Sequence, residues 1–219
     1  MSILRLINKG ALVGRKKGEG RRRKRGSRRR PARAERRRIL VVTEGLRTEK
    51  QYVERLNGFL RSRGSTTVVR SVGVGKDPLK VVEECIIIRQ QAAACGDEKK
   101  FDECVCLVDV DKHSTMAQAI RLARAESIQL IVSNLKFEVW ICWHADDRCG
   151  PLSSKQLDAR VKKLGLMSGK DLASTFPIDK VATACAIARK ADAGLSAGRV
   201  GPDPSTAMPV LVELLTEEK

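Results

Sequence analysis

Arg38-Ile39-Leu40-Val41-Val42-Thr43-Glu44-Gly45 is an apolar run that ends in a carboxylate and a glycine. A strand covered on both faces of a parallel sheet reads as such a continuous run, not as an alternation. Cys104-Val105-Cys106-Leu107-Val108-Asp109-Val110-Asp111 is a second run of the same kind, ending in an Asp-x-Asp pair. In open α/β sheets, ligands sit in the crevice beyond the carboxyl ends of the strands. Glu44, Asp109 and Asp111 can therefore meet in one crevice. Alternate residues of a strand point to one side, so Asp109 and Asp111 can address the same ion. Packed carboxylates repel unless a cation neutralises them, and oxygen-rich sites suit Mg²⁺ or Mn²⁺. Their chemistry is metal-assisted phosphodiester cleavage.

Outward from these runs, strand-like and helix-like segments alternate. Thr67–Val72 and Ile128–Val132 read as two further strands. Tyr52, Val53, Leu56, Phe59 and Leu60 recur at helical spacing after Thr48 and Gln51, which have the spacing of a capping box, and Gly64 is a stop. Asp77-Pro78 is a helix start, a cap followed by proline at the first helical position. Ser114 can cap a helix holding Ile120 and Ala123, and another helix enters at Asn134. After Gly150-Pro151 the pattern is helical throughout, with helices over 154–164, 179–191 and 207–217. The expected fold is α/β: a small doubly wound, mostly parallel sheet flanked by helices. Residues 38–150 form its core, 151–219 a helical C-terminal extension packed on that core, and 1–37 a basic arm.

Charge separates the arm from the rest. Residues 1–38 carry 17 Lys or Arg against two Glu, so they hold +15 of the formal +17, and the other 181 residues hold +2. Arg21, Arg22, Arg23, Lys24, Arg25, Arg28, Arg29 and Arg30 cannot bury apolar surface and repel one another, so this arm is expected to be disordered when free. Guanidinium forks match phosphate oxygens, which makes nucleic acid the natural partner. Residues 1–7 are a poor secretory signal, and no stretch approaches the roughly 18 uncharged apolar residues of a membrane span. Seven cysteines, with no Cys-x-x-Cys, fit reduced thiols in a cytoplasmic protein that has no membrane partner.

The chain resembles the RloB family, whose core is a Toprim-like domain. The resemblance covers about residues 37–217. It is carried by Arg38–Gly45 with Thr48-Glu49, by Val108-Asp109-Val110-Asp111-Lys112-His113, by Ser133-Asn134-Leu135-Lys136-Phe137-Glu138-Val139-Trp140 with His144, and by Pro204-Ser205-Thr206 before an apolar helix. Two departures stand out. The family often has Asp-Arg-Asp-Glu where this chain has Asp109-Val110-Asp111-Lys112, and usually Ser-Asn-Pro-Cys where it has Ser133-Asn134-Leu135-Lys136. The resemblance implies Glu44 as general acid or base, with Asp109 and Asp111 holding Mg²⁺.

The resemblance further implies a defence role against phage or foreign DNA alongside a partner ATPase. The chain has no nucleotide-binding loop of its own: around Gly73-Val74-Gly75-Lys76, Asp77 stands where Ser or Thr is needed. Glu138 is a candidate fourth ligand or catalytic carboxylate, or a helix-start charge. His113 is a candidate phosphate contact, or a solvent-facing loop residue. Lys180 is a candidate phosphate contact, or a surface lysine. The expected function is a Mg²⁺-dependent endonuclease on RNA, with tRNA as one candidate, or on DNA, and a homo-oligomer is compatible with it. The alternative is a non-catalytic nucleic-acid-binding adaptor with a degenerate site.

Overall fold

The structure, a computed structural model, describes residues 36–110, 115–148 and 150–217. Four parallel strands build its centre. They are β1 (Arg38–Thr43), β2 (Val68–Gly73), β3 (Glu103–Asp109) and β4 (Gln129–Asn134). The helices between them are α1 (Thr48–Ser62), α2 (Pro78–Ala94) and α3 (Met116–Ala125). A fifth, antiparallel strand, β7 (Ser205–Thr206), closes the edge beside β4, giving the order β2-β1-β3-β4-β7. The expected α/β class is what the chain adopts, with seven α-helices among the described residues.

The order reverses at β1. The chain steps from β1 outward to β2, then crosses back over β1 to β3. Parallel connections are right-handed, so this reversal places α1 on one face of the sheet and α2 and α3 on the other. Burial follows strand parity. Ile39, Val41, Val105, Leu107 and Ile131 pack against Tyr52, Val53 and Leu56 of α1. Leu40, Val42, Cys104, Cys106, Val108 and Leu130 pack against Val81, Val82, Cys85 and Ile88 of α2 and Ala119 and Ala123 of α3.

Local signals explain the helix ends. Asp77 caps α2 by accepting from the Leu79 and Lys80 N–H groups, with Pro78 where no donor is needed. α1 ends at Gly64, whose φ of +104° suits glycine. The spacing of Thr48 and Gln51 is used differently from the expected capping box. Arg47 is the N-cap of α1 and makes no side-chain cap bond. Thr48 and Gln51 bind a distant hairpin instead, Thr48 Oγ1 donating to the Lys170 carbonyl at 2.7 Å. A complete capping box occurs at Ser153 and Gln156, where α5 (Ser154–Lys163) begins after the short α4 (Glu138–Cys142).

Residues 151–217 are not helical throughout. α5, α6 (Val181–Ala191) and α7 (Met208–Thr216) are joined by a two-stranded hairpin, β5 (Met167–Ser168) with β6 (Asp171–Leu172), and by β7. Two-residue strands carry no periodicity, so only their partners define them. Arg37, at the expected end of the arm, is part of the fold: its guanidinium donates to the Leu214 carbonyl at 2.9 Å and meets Glu103. No helix among the described residues is long and apolar enough to cross a membrane.

Candidate functional site

The strand order reverses between β1 and β3, so the connections leaving those two strands diverge and open a crevice. Glu44 follows the last residue of β1, and Asp109 is the last residue of β3. The Glu44 N–H donates to the Leu107 carbonyl at 2.9 Å, which extends the ladder by one rung. Its own carbonyl accepts from the Gly75 N–H at 2.8 Å. Pinned from both sides, Glu44 turns its carboxylate onto β3, where Oε2 accepts the Asp109 N–H at 3.1 Å. Both side chains are half-buried.

A tight turn makes this geometry. Thr43 Oγ1 donates to the Gly45 carbonyl at 2.7 Å, and the Gly45 N–H donates to Glu49 Oε1 at 3.1 Å. A methyl group at Gly45 would overlap the Glu49 carboxylate. At Gly73 it would lie 2.7 Å from Leu46 Cα, so the loops after β1 and β2 touch as backbone on backbone. Glu49 is buried, and burial raises its pKa above the usual carboxylate value. The charges of Glu138 and Glu44 raise it further, against backbone hydrogen bonds that lower it. Three carboxylates therefore share one field.

Glu44, Glu49 and Glu138 line an open cleft of about 780 Å³, together with Asp158 of α5 and Gly169 and Lys170 of the hairpin. Glu138 is the first residue of α4, half-buried, and its neighbour Lys136 is ion-paired to Asp158. Among the described residues, no group of three His, Cys, Asp or Glu side chains is arranged to hold a metal ion. Asp111 and His113 lie outside the described residues, as do Arg21, Arg22, Arg23, Lys24, Arg25, Arg28, Arg29 and Arg30.

The remaining motif residues do structural work. Ser133 Oγ and Thr206 Oγ1 are 2.9 Å apart, and Asn134 Nδ2 donates to the Gly201 carbonyl at 3.0 Å, so this pair fastens β7 to β4. Phe137 packs edge-on against Tyr52, with ring centres 5.6 Å apart. His144 is buried in a cage of Tyr52, Trp140 and Phe176. Its Nδ1 faces the Trp140 carbonyl at 3.0 Å, which can only accept, so Nδ1 carries the proton. Nε2 is then the acceptor for the Tyr52 hydroxyl at 3.2 Å. Burial lowers the His144 pKa to about 4, so the ring is neutral at pH 7. Lys180 lines a different cleft, with His144 and Asp146, and is not among the residues lining the Glu44 cleft.

Asp158 and the hairpin wall were not legible from the sequence. The available signal was Gly169-Lys170 as a two-residue turn, with Gly169 at φ +64°. None of the curated proteins compared with the chain matches it. The model of the RloB-like protein family matches residues 39–215, from the start of β1 to the last turn of α7, and the chain belongs to that family.

Proposed function

We propose that the chain is a Mg²⁺- or Mn²⁺-dependent nuclease whose reacting crevice lies between the ends of β1 and β3. One observation carries this reading: the Glu44 carboxylate rests on the Asp109 backbone at 3.1 Å where the strand order reverses. The donor chemistry fits a hard divalent cation. Glu44 and Asp109 offer carboxylate oxygens, and Glu49, whose pKa is raised first by burial and then by the charges of Glu138 and Glu44, adds a third carboxyl group nearby. Asp109 and Asp111 would hold the ion, with Glu44 beside it. When bound, such an ion polarises the phosphodiester and favours ionisation of a water. Glu44, oriented by the Asp109 N–H, moves a proton at the attacking or leaving oxygen. The substrate is RNA, with tRNA as one candidate, or DNA, concentrated by the arm. The setting is cytoplasmic defence against phage or foreign DNA with a partner ATPase acting in trans.

The test is cleavage of a mixed nucleic-acid panel with Mg²⁺ or Mn²⁺ and the partner ATPase present. A Glu44→Gln, Asp109→Asn double variant should cut roughly 10²–10⁴-fold more slowly, the usual worth of a positioned acid or base. If wild type cuts no better than the double variant under every condition, the nuclease reading falls. The chain is then a nucleic-acid-binding adaptor.

A further inference from the structure

The cleft beside Glu44 has one acidic wall and one basic wall. Its basic wall is the β5–β6 hairpin and the last turn of α5. Ser168 pairs with Asp171, so Gly169-Lys170 is a two-residue turn that lines the cleft. Lys162 lines an adjoining cleft of about 490 Å³ that shares Glu138, Asp158, Met167 and Gly169 with the first. Both lysines are exposed, and among the described residues neither has an ion-pair partner, although acidic side chains line the same space. Lys136, by contrast, is spent on Asp158.

The hairpin is not a loose flap. The Lys170 carbonyl accepts from Thr48 Oγ1 at 2.7 Å, four residues after Glu44. Gln51 Nε2 donates to Asp171 at 2.6 Å, and Gln51 Oε1 accepts the Leu172 N–H at 2.9 Å. Arg55 donates to the Leu172 carbonyl at 3.1 Å and to the Ala173 carbonyl at 2.5 Å. The same helix that starts behind Glu44 thus sets the position of Lys170 relative to it. Two unpaired ammonium groups, held on a fixed wall facing a carboxylate cluster, suit a polyanion that passes along the cleft. They would offset the repulsion that the carboxylates exert on a phosphate.

We propose that Lys162 and Lys170 are positioning residues that grip backbone phosphates of a nucleic-acid strand and lay it along the hairpin toward Glu44. The inference rests on the proposed crevice as the strand's destination. It assigns to the globular unit a phosphate contact separate from the arm.

The test uses the full chain with Lys162→Ala, Lys170→Ala, and measures oligonucleotide binding by fluorescence anisotropy across a salt series, beside cleavage kinetics. Two lost exposed contacts should weaken binding roughly 3–30-fold at low salt. They should also flatten the plot of log affinity against log salt by about 1.4 on single strands or about 1.8 on duplex. KM should rise with kcat little changed, and Lys162→Arg, Lys170→Arg should restore wild-type behaviour. A merely structural role would move thermal stability and leave the salt slope alone. Equal affinities and equal slopes for wild type and the Ala variant overturn the proposal, as does a full chain that binds no nucleic acid. Lost salt slope without any Glu44-dependent cleavage keeps this proposal and removes the nuclease reading. Glu44-dependent cleavage that is indifferent to both lysines does the reverse.

Discussion

Two stretches of this chain are about equally distinctive as sequence, yet they come to different uses. Glu44-Gly45 and Asp109 close the ends of neighbouring strands with both carboxylates half-buried, and Glu44 lines a cleft. Ser133-Asn134 and Phe137 through His144 turn mostly inward, fastening β7 to β4 and filling the space beneath α1. The difference follows from where each stretch meets the sheet. β1 and β3 flank the point where the order reverses, so the connections leaving them diverge. β4 is followed by α4 and flanked by β7, so its end is covered. A distinctive motif marks a demanding position, and the demand is chemical in one place and steric in the other. Glu138 is the exception within the second stretch, since it alone turns from the Phe137–Trp140 core into the cleft.

The sharpest break between the two regions should come from Glu44→Gln with Asp109→Asn. Cleavage should fall roughly 10²–10⁴-fold. The midpoint of thermal unfolding should hardly move, because both changes keep shape and relieve like charge. A large drop in that midpoint would mean that the carboxylates belong to the fold and that the contrast is wrong. Trp140→Ala should do the opposite. The side chain is fully buried among Tyr52, His144 and the helices of one sheet face, so its removal should cost about 3–5 kcal/mol in chemical denaturation. The protein that remains folded should keep its Glu44-dependent chemistry.

His144 supplies a pH signature for the structural region. Its pKa is about 4 in the folded chain against an ordinary value of 6.5, so between these two the unfolded chain binds a proton that the folded chain does not. The contribution is fully present above about pH 6.5 and is lost as pH falls toward 4, on the order of 3 kcal/mol over the whole window. Urea unfolding at a series of pH values checks the slope. Imidazole NMR titration checks the pKa, and with two histidines in the chain a His113 substitution assigns the signals. A His144 ring that titrates near 6.5 would mean that the cage opens to water.

The smallest effect sharpens the functional side. Glu49 has a raised pKa, so at neutral pH its charged form works against folding. Glu49→Gln keeps an acceptor for the Gly45 N–H and removes that charge. Stability at pH 7 should stay level or rise by less than about 1 kcal/mol, with the gain disappearing as the pH is lowered. A loss of stability instead would mean that the charge-assisted bonds the carboxylate accepts from backbone N–H groups, that of Gly45 among them, outweigh the cost of its burial.

Much of the architecture was legible because it depends on local rules. Three of the four parallel strands, β1, β3 and β4, appear as apolar runs, since burial on both faces leaves no alternation. The edge strand β2, by contrast, is half-exposed and carries Arg70 and Ser71. Asp77-Pro78 marks a helix start because cap and proline act within one turn. The Thr48 and Gln51 spacing misled because two hydroxyl and amide groups at a helix start can bond locally or across the molecule. Here the hairpin, more than 100 residues away, competes successfully for both.

From its residues alone the chain determines the parallel sheet, the carboxylates at the ends of β1 and β3, and the segregation of its charge into residues 1–38. Each rests on neighbours in sequence: runs that must be buried, acids that end them, cations that cannot be. Only the tertiary structure decided that Glu49, Glu138 and Asp158 share the cleft with Glu44, that His144 is a neutral core group, and that Gly169-Lys170 stands over the acidic wall. These depend on contacts between residues far apart in the chain, such as Thr48 with Lys170 and Tyr52 with His144. A sequence pattern states which groups want partners, and the fold settles which partners come within reach.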